Sequence, residues 1–198
     1  MLFMASEERR AYVRRLLPYI SVSLTIFAAG MILGLAVVYR IPGLSDHFTD
    51  MLANFVKIFA GMPPWKLAAA IFLNNAVKTL LAILLGTILG IVPGIFLLAN
   101  GAALGVALSL SIQARGAWLS LLGILPHGVL ELPAVFLGTS IGLLLGMEII
   151  KRLRGRSETT LPSELGRAFR FYCTVIAPLL LLAALVEAFV TAALVLPR

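Results

Sequence analysis

Reactive and metal-binding side chains are scarce in this sequence. The 198 residues include a single cysteine, Cys173, and two histidines. One cysteine excludes a disulfide within the chain and a cysteine-based zinc site. The sequence also lacks the HExxH and CxxC patterns that often bind zinc. We therefore expect neither a cofactor nor a structural metal ion.

Charged residues are scarce as well. Only 13% of residues are charged and 61% are hydrophobic, whereas soluble domains average about 25% charged and about 45–50% apolar residues. This composition indicates a membrane protein, and the length suits one integral membrane domain over residues 1–198. The net charge of +7 does not predict nucleic-acid binding, because the basic residues flank apolar runs and do not alternate with aromatics on one face. The partner that the composition does predict is the lipid bilayer.

Five apolar segments are long enough to cross a bilayer, which takes about 20 residues per helix. They cover residues 17–39, 67–89, 94–112, 117–150 and 168–196. The fold class that they predict is all-α: a polytopic transmembrane helical bundle with about five spans. The fourth segment is too long for one straight span and contains Pro126, so we predict a helix that is broken near this proline.

Lysine and arginine are unevenly distributed between the two sides of the predicted bundle. Ten of them precede the first span or lie between the fourth and fifth spans, and five lie on the opposite side. Cytoplasmic loops of membrane proteins carry an excess of basic residues. We therefore predict a multi-pass protein of the cell membrane, with its N-terminus in the cytoplasm and its C-terminus outside.

An amphipathic pattern follows the first span, at about 45–60. Phe48 and Phe55 fall on one helical face, and Asp50 falls largely on the other. We predict an interfacial helix that lies flat on the outer surface of the membrane, with Trp65 as an anchor at the headgroups. A lid over the bundle is the alternative.

Glycines recur four residues apart within the predicted spans, so that each set lies on one helical face. Such sets form shallow grooves that allow two helix backbones to approach closely. We predict helix packing through them, either within one chain or between two copies. The glycines are Gly30, Gly34, Gly86, Gly90, Gly94, Gly101, Gly105, Gly138, Gly142 and Gly146.

One stretch matches a hydrolase motif by chance. Gly138-Thr139-Ser140-Ile141-Gly142 fits G-x-S-x-G, but that motif requires a strained turn between a strand and a helix. Here the surrounding sequence is continuous apolar helix, and the glycine spacing already has a packing explanation. We therefore expect that the protein is not an enzyme.

Polar residues within the predicted spans are few enough to suggest a common site. Lys78 lies near the middle of the second span, where a lysine costs about 2.5–3.5 kcal/mol unless it is paired or hydrated. We predict an intramembrane polar site; the alternative is a buried pair of Lys78 with a carboxylate that ties helices together. The predicted site residues are Asn74, Asn75, Lys78, Asn100, His127, Glu131 and Glu187.

The segment PHGVLELP carries two of these residues between Pro126 and Pro133. If a helix starts at Pro126, His127 and Glu131 share one face. The pair could share a proton, hold a neighbouring helix or bind a metal ion. Two ligands are too few for a zinc site, so we do not expect a metal here. Because the prolines leave backbone groups unpaired, the segment should face the bundle interior or a hydrated cavity.

The order and spacing of several of these residues resemble the stage II sporulation protein M family. The matching features are Asn74-Asn75, Gly86-x-x-x-Gly90, Asn100-Gly101-x-x-x-Gly105, Pro126-His127-Gly128-x-x-Glu131, Gly142 and Gly146. The resemblance is strongest from about 72 to 146 and implies a membrane protein of five helices. In endospore-forming bacteria the namesake acts in engulfment, within a membrane complex whose partners degrade peptidoglycan. Relatives also occur in organisms that form no spores, including archaea.

Two functional hypotheses follow, of which we predict the first and keep the second as the alternative. In the first, the protein is a permease- or channel-like dimer whose polar site handles a proton, an ion or a small solute. In the second, it is a scaffold that recruits or anchors a partner membrane or envelope protein, as the resemblance implies. The cost of burying charges favours the first hypothesis, and the resemblance favours the second.

Overall fold

The computed structural model describes residues 4–40, 62–157 and 159–191, together with their side chains except those of 123–127, 190 and 191. The elements of this part of the chain are all helical. The α-helices are α1 (Ser6–Arg40), α2 (Pro64–Leu84), α3 (Ile91–Arg115), α4 (Ala117–Leu153), α5 (Leu161–Phe171) and α6 (Ala177–Val186). The predicted interfacial helix at about 45–60 lies outside the described residues.

Within the described residues, five helical stretches are long and apolar enough to cross a membrane. They are Ser6–Arg40, Pro64–Thr87, Ile91–Arg115, Gly128–Leu153 and Leu161–Phe189. The last stretch combines α5 and α6, which are joined by a π-helical turn at Tyr172–Ile176. The predicted all-α bundle with five spans is thus confirmed.

The fourth helix differs from the prediction at Pro126. α4 continues for 37 residues, from Ala117 to Leu153, through both Pro126 and Pro133. The predicted interruption of the helix near Pro126 is therefore wrong. Each proline removes one backbone donor, and transmembrane helices tolerate that loss where neighbouring groups satisfy the freed carbonyl. At about 1.5 Å per residue, α4 is about 55 Å long and exceeds the thickness of the hydrocarbon layer.

α4 is the central helix of the bundle. In the most apolar stretch of α4, 56% of the residues are buried, compared with 22–33% in the corresponding stretches of the other four spans. Its inner side chains include Ile141, Leu144 and Leu145, which pack in one core with Phe171 and Leu180 of the last helical stretch. The other helices are therefore arranged around α4, and each exposes large apolar residues outward.

α1 and α3 run parallel and approach each other through glycines. Gly30 lies against the backbone of Leu98, and Gly34 lies against the backbone of Ala102. The contact is reciprocal, since Gly101 faces the backbone of Phe27 and Gly105 faces that of Met31 in the same way. At each position an added Cβ would overlap backbone atoms, so only glycine allows this helix separation.

α2 runs parallel to α4, and the turn after α2 rests on it. The side chain of Thr79 contacts Gly138, and Gly142 faces the carbonyl of Ala82. The chain then passes through a 3₁₀ turn at Leu85–Thr87 and reverses at Gly90, whose φ is 74°. Gly146 of α4 lies so close to the backbone of Gly90 that a Cβ there would overlap it.

Candidate functional site

The asparagines and the lysine of the predicted site lie on the outside of the described bundle. Asn74 is exposed, and its amide donates to Oδ1 of Asn75 over 3.0 Å. Asn100 is also exposed and donates to the carbonyl of Phe96 in its own helix, over 2.7 Å. Lys78 is exposed and forms no ion pair with any described residue. The structure therefore does not bring these residues together in the interior.

The two carboxylates of the predicted site are more enclosed. Glu131 on α4 is only 6% exposed, and Glu187 is half-buried. Both take part in interactions with other residues. The backbone of His127 belongs to α4, but its side chain lies outside the described part. The pairing of His127 with Glu131 therefore stays a prediction.

Asn74 and Lys78 lie within the outward stripe of α2. The stripe repeats every three to four residues, and its large apolar members Leu73, Val77 and Leu81 are all exposed. We call Asn74, Asn75 and Lys78 the α2 polar face. It is a small polar patch with one cation, surrounded by side chains that suit lipid tails or another helix.

The depth of Lys78 follows from the length of its helix. At about 1.5 Å per residue, Lys78 lies about 21 Å from Pro64 and about 14 Å from Thr87, the two ends of this span. Its Cα–Cβ bond tilts toward the helix N-terminus, away from the nearer end. Extending the side chain to either aqueous surface is therefore difficult.

A second polar centre, which was not predicted from the sequence, lies where α1, α4 and α5 meet. Arg15 donates from Nη1 to both carboxylate oxygens of Glu164, each over 2.9 Å, and from Nη2 to Oε1 of Glu148 over 3.0 Å. Lys151 binds Glu148 and Arg167 binds Glu164, each over 3.0 Å. We call these five residues the ionic cluster.

Both carboxylates of the ionic cluster are withdrawn from solvent. Glu164 is fully buried and Glu148 is 3% exposed, although Arg15 keeps about a third of its side chain exposed. A buried carboxylate without a partner is strongly unfavourable. The cluster therefore holds α5 against α1 and α4. The local signals for the ionic cluster in the sequence are two (i, i+3) pairs, Glu148–Lys151 and Glu164–Arg167.

The serine of the G-x-S-x-G match lies in the middle of α4. Ser140 is fully buried, donates to the carbonyl of Phe136, and has its Oγ 3.1 Å from that of Ser23 on α1. Thr139 is buried beside them and approaches Ser23 as well. These hydroxyls connect two helices. Among the described residues there is also no group of three or more His, Cys, Asp or Glu that could hold a metal ion.

The five apolar spans, the glycine-mediated crossings and the few polar centres define a polytopic membrane protein. A scan against known families matches residues 23–192 to stage II sporulation protein M. Because the match covers most of the 198 residues, the chain belongs to this family. The comparisons with curated proteins and with solved structures found no match. The matched range includes both carboxylates of the ionic cluster and begins after Arg15.

Proposed function

We propose that this protein is a non-enzymatic scaffold, a helical bundle that holds a partner protein in the membrane. The observation that carries the proposal is the position of Lys78. It is exposed within the second span, well away from both ends, and forms no ion pair within the described part of the chain. A cation in such a position is expensive unless something covers it.

The packing of the bundle supports the same proposal. The α1–α3 and α2–α4 crossings are closed by contact between glycines and backbone atoms, which leaves no space for a side chain or solute between them. A permease needs a polar path through its interior. Here Asn74, Lys78 and Asn100 of the predicted site are exposed on the outside of the described bundle.

The predicted orientation belongs to this proposal. With the N-terminus in the cytoplasm, the ionic cluster lies at the cytoplasmic end of the bundle, near the basic residues that follow α4. Partners would then contact α2 within the membrane, while the cluster keeps the last helical stretch in place.

Flux measurements test the proposal directly. The full chain is reconstituted into phosphatidylcholine vesicles, and proton, sodium and potassium flux are followed with indicator dyes. We expect rates equal to those of protein-free vesicles. Flux that requires the protein would contradict the scaffold function.

One observation favours the rival function, a permease or channel for a proton, ion or small solute. Glu131 is a buried carboxylate within a membrane span, and such residues often mark ion or proton pathways. If the rival function holds, Glu131→Gln should abolish flux while the protein still folds. Lys66→Met, at the exposed start of α2, is the matched control and should leave flux unchanged.

A further inference from the structure

The α2 polar face has a chemistry that limits what can cover it. We infer that its occupant is a transmembrane helix of a different protein, bearing an aspartate or glutamate at the depth of Lys78. This inference rests on the proposed scaffold function and names the chemistry of the partner.

The charge of Lys78 requires an opposite charge at the same depth in the membrane. Headgroup phosphates stay at the membrane surface, whereas Lys78 lies about 14 Å from the nearer end of its span and tilts away from that end. A neutral partner helix would exclude water from the ammonium group without supplying an opposite charge. A carboxylate at the same depth neutralises it directly.

The hydrogen-bonding groups of the α2 polar face also favour a carboxylate. Asn74 uses one amide hydrogen on Asn75, and an amide nitrogen carries two. The ammonium of Lys78 adds three donors and no acceptor. The α2 polar face therefore has more donors than acceptors. A carboxylate, which accepts at both oxygens, complements it better than a hydroxyl or an amide does.

The symmetry of a dimer distinguishes a helix of another protein from a second copy of this chain as the occupant. A two-fold axis normal to the membrane pairs each residue of α2 with its own equivalent. Two Lys78 side chains would then meet at one depth. The sequence of α2, PWKLAAAIFLNNAVKTLLAIL, contains no aspartate or glutamate that could offset them.

Other helices of a second copy do not offer a suitable carboxylate within the described residues. Glu131 is buried, and Glu148 and Glu164 are buried in their own ion pairs. Glu187 is half-buried and already has an interaction. Charge complementarity therefore favours a different protein.

The test uses defined peptides as the partner. The full chain, labelled with a donor fluorophore, is reconstituted into phosphatidylcholine vesicles with acceptor-labelled transmembrane peptides. The peptides are leucine–alanine helices that carry a single central glutamate, glutamine or leucine. We expect the glutamate peptide to associate about tenfold more strongly than the glutamine peptide, as measured by energy transfer.

Three variants assign the effect to the ammonium group. Lys78→Met should abolish the preference for the glutamate peptide, and Lys78→Arg should retain it. Lys66→Met removes an exposed lysine at the start of the same helix and should also retain it. Because Lys78 is exposed, methionine can replace it without disturbing the packed core, and circular dichroism checks that the variants are folded.

Three results would overturn the inference. They are equal association of the glutamate and glutamine peptides, an unchanged preference in Lys78→Met, and a dimer of the protein alone that Lys78→Met dissociates. The first two results leave the scaffold function intact with a partner of other chemistry, and the third assigns Lys78 to the contact between two copies of this chain. Ion flux in the vesicles has the opposite meaning, since it contradicts the scaffold function whatever the peptides do.

Discussion

Arg15 is the residue on which the ionic cluster depends. Its guanidinium binds Glu148 and Glu164, which belong to two different helices. The planar group presents several donors in a fixed arrangement, so one side chain can serve two carboxylates at once. A lysine could supply the charge but not this geometry.

Replacing Arg15 should destabilise the fold. Arg15→Ala leaves two buried carboxylates with one cation each, and because Arg15 is partly exposed we expect a loss of about 2–3 kcal/mol in the free energy of unfolding. Arg15→Lys should recover part of the loss. The measurement is unfolding by sodium dodecyl sulfate in mixed micelles, followed by circular dichroism.

Two controls accompany this prediction. Arg14→Ala removes a neighbouring exposed arginine and should change the free energy of unfolding by less than about 0.5 kcal/mol. Glu164→Gln combined with Arg15→Ala should cost less than the sum of the single changes, because the two residues interact directly. Additive effects would mean that the pair contributes no coupling energy.

The positions of individual side chains in the bundle could be predicted only in part from the sequence. It indicated that Lys78 and Asn74 were unusual, but it did not indicate that they face outward, because the rotation of a helix depends on its neighbours. The ionic cluster was missed for a related reason. Arg15 is 133 residues from Glu148 and 149 from Glu164 along the chain, so no local pattern joins them.

At the scale of the elements, the pairing of α1 with α3 depends on glycine. Gly30 and Gly34 on one helix and Gly101 and Gly105 on the other face backbone atoms of the opposite helix. In lipid the main gain from such pairing is van der Waals contact, which falls quickly with separation. A single methyl group at the interface should therefore weaken it.

Two glycines on α3 offer a matched comparison. A Cβ at Gly101 would overlap the carbonyl of Phe27, whereas a Cβ at Gly94 meets nothing within 4 Å. We expect Gly101→Ala to lower the free energy of unfolding by about 1–3 kcal/mol. Gly94→Ala should be neutral or stabilising by up to about 1 kcal/mol, because alanine favours the helix. Equal effects in detergent unfolding would mean that the crossing is looser than the structure shows.

The elements themselves were largely predictable. Runs of about 20 apolar residues identify transmembrane helices because every backbone group in lipid must be satisfied within the helix. The continuity of α4 was not predictable from Pro126 and Pro133, since the cost of a proline depends on what satisfies the freed carbonyl. The close approach of Gly90 to Gly146 was equally hidden, because the two glycines are far apart in the sequence and no local pattern joins them.

At the scale of the whole molecule, the helix directions fit successive crossings of one membrane. α1 runs parallel to α3, and α2 runs parallel to α4. Contacts from Arg15 to Glu148 and from Ser23 to Ser140 show that α1 and α4 run in opposite directions. The first four spans therefore alternate in direction, as successive crossings of one membrane require.

Labelling in intact cells tests which side is which. In a Cys173→Ala background, Lys66→Cys at the start of α2 should react with a membrane-impermeant maleimide added outside the cells. Arg156→Cys, after α4, should react only once the membrane is permeabilised, because basic residues concentrate on the cytoplasmic side. Both positions are exposed in the structure. The reverse pattern of labelling would invert the orientation.

The long sequence separations in the ionic cluster have a consequence for biosynthesis. A ribosome releases Arg15 early, and the carboxylates that bind it follow only after most of the protein has been made. Until α5 is released, Arg15 on α1 can bind Glu148 of α4 but lacks its second carboxylate, Glu164. Complete docking of the first helix therefore requires α5, so nascent chains that stop before Leu161 should be recognised by quality-control proteases.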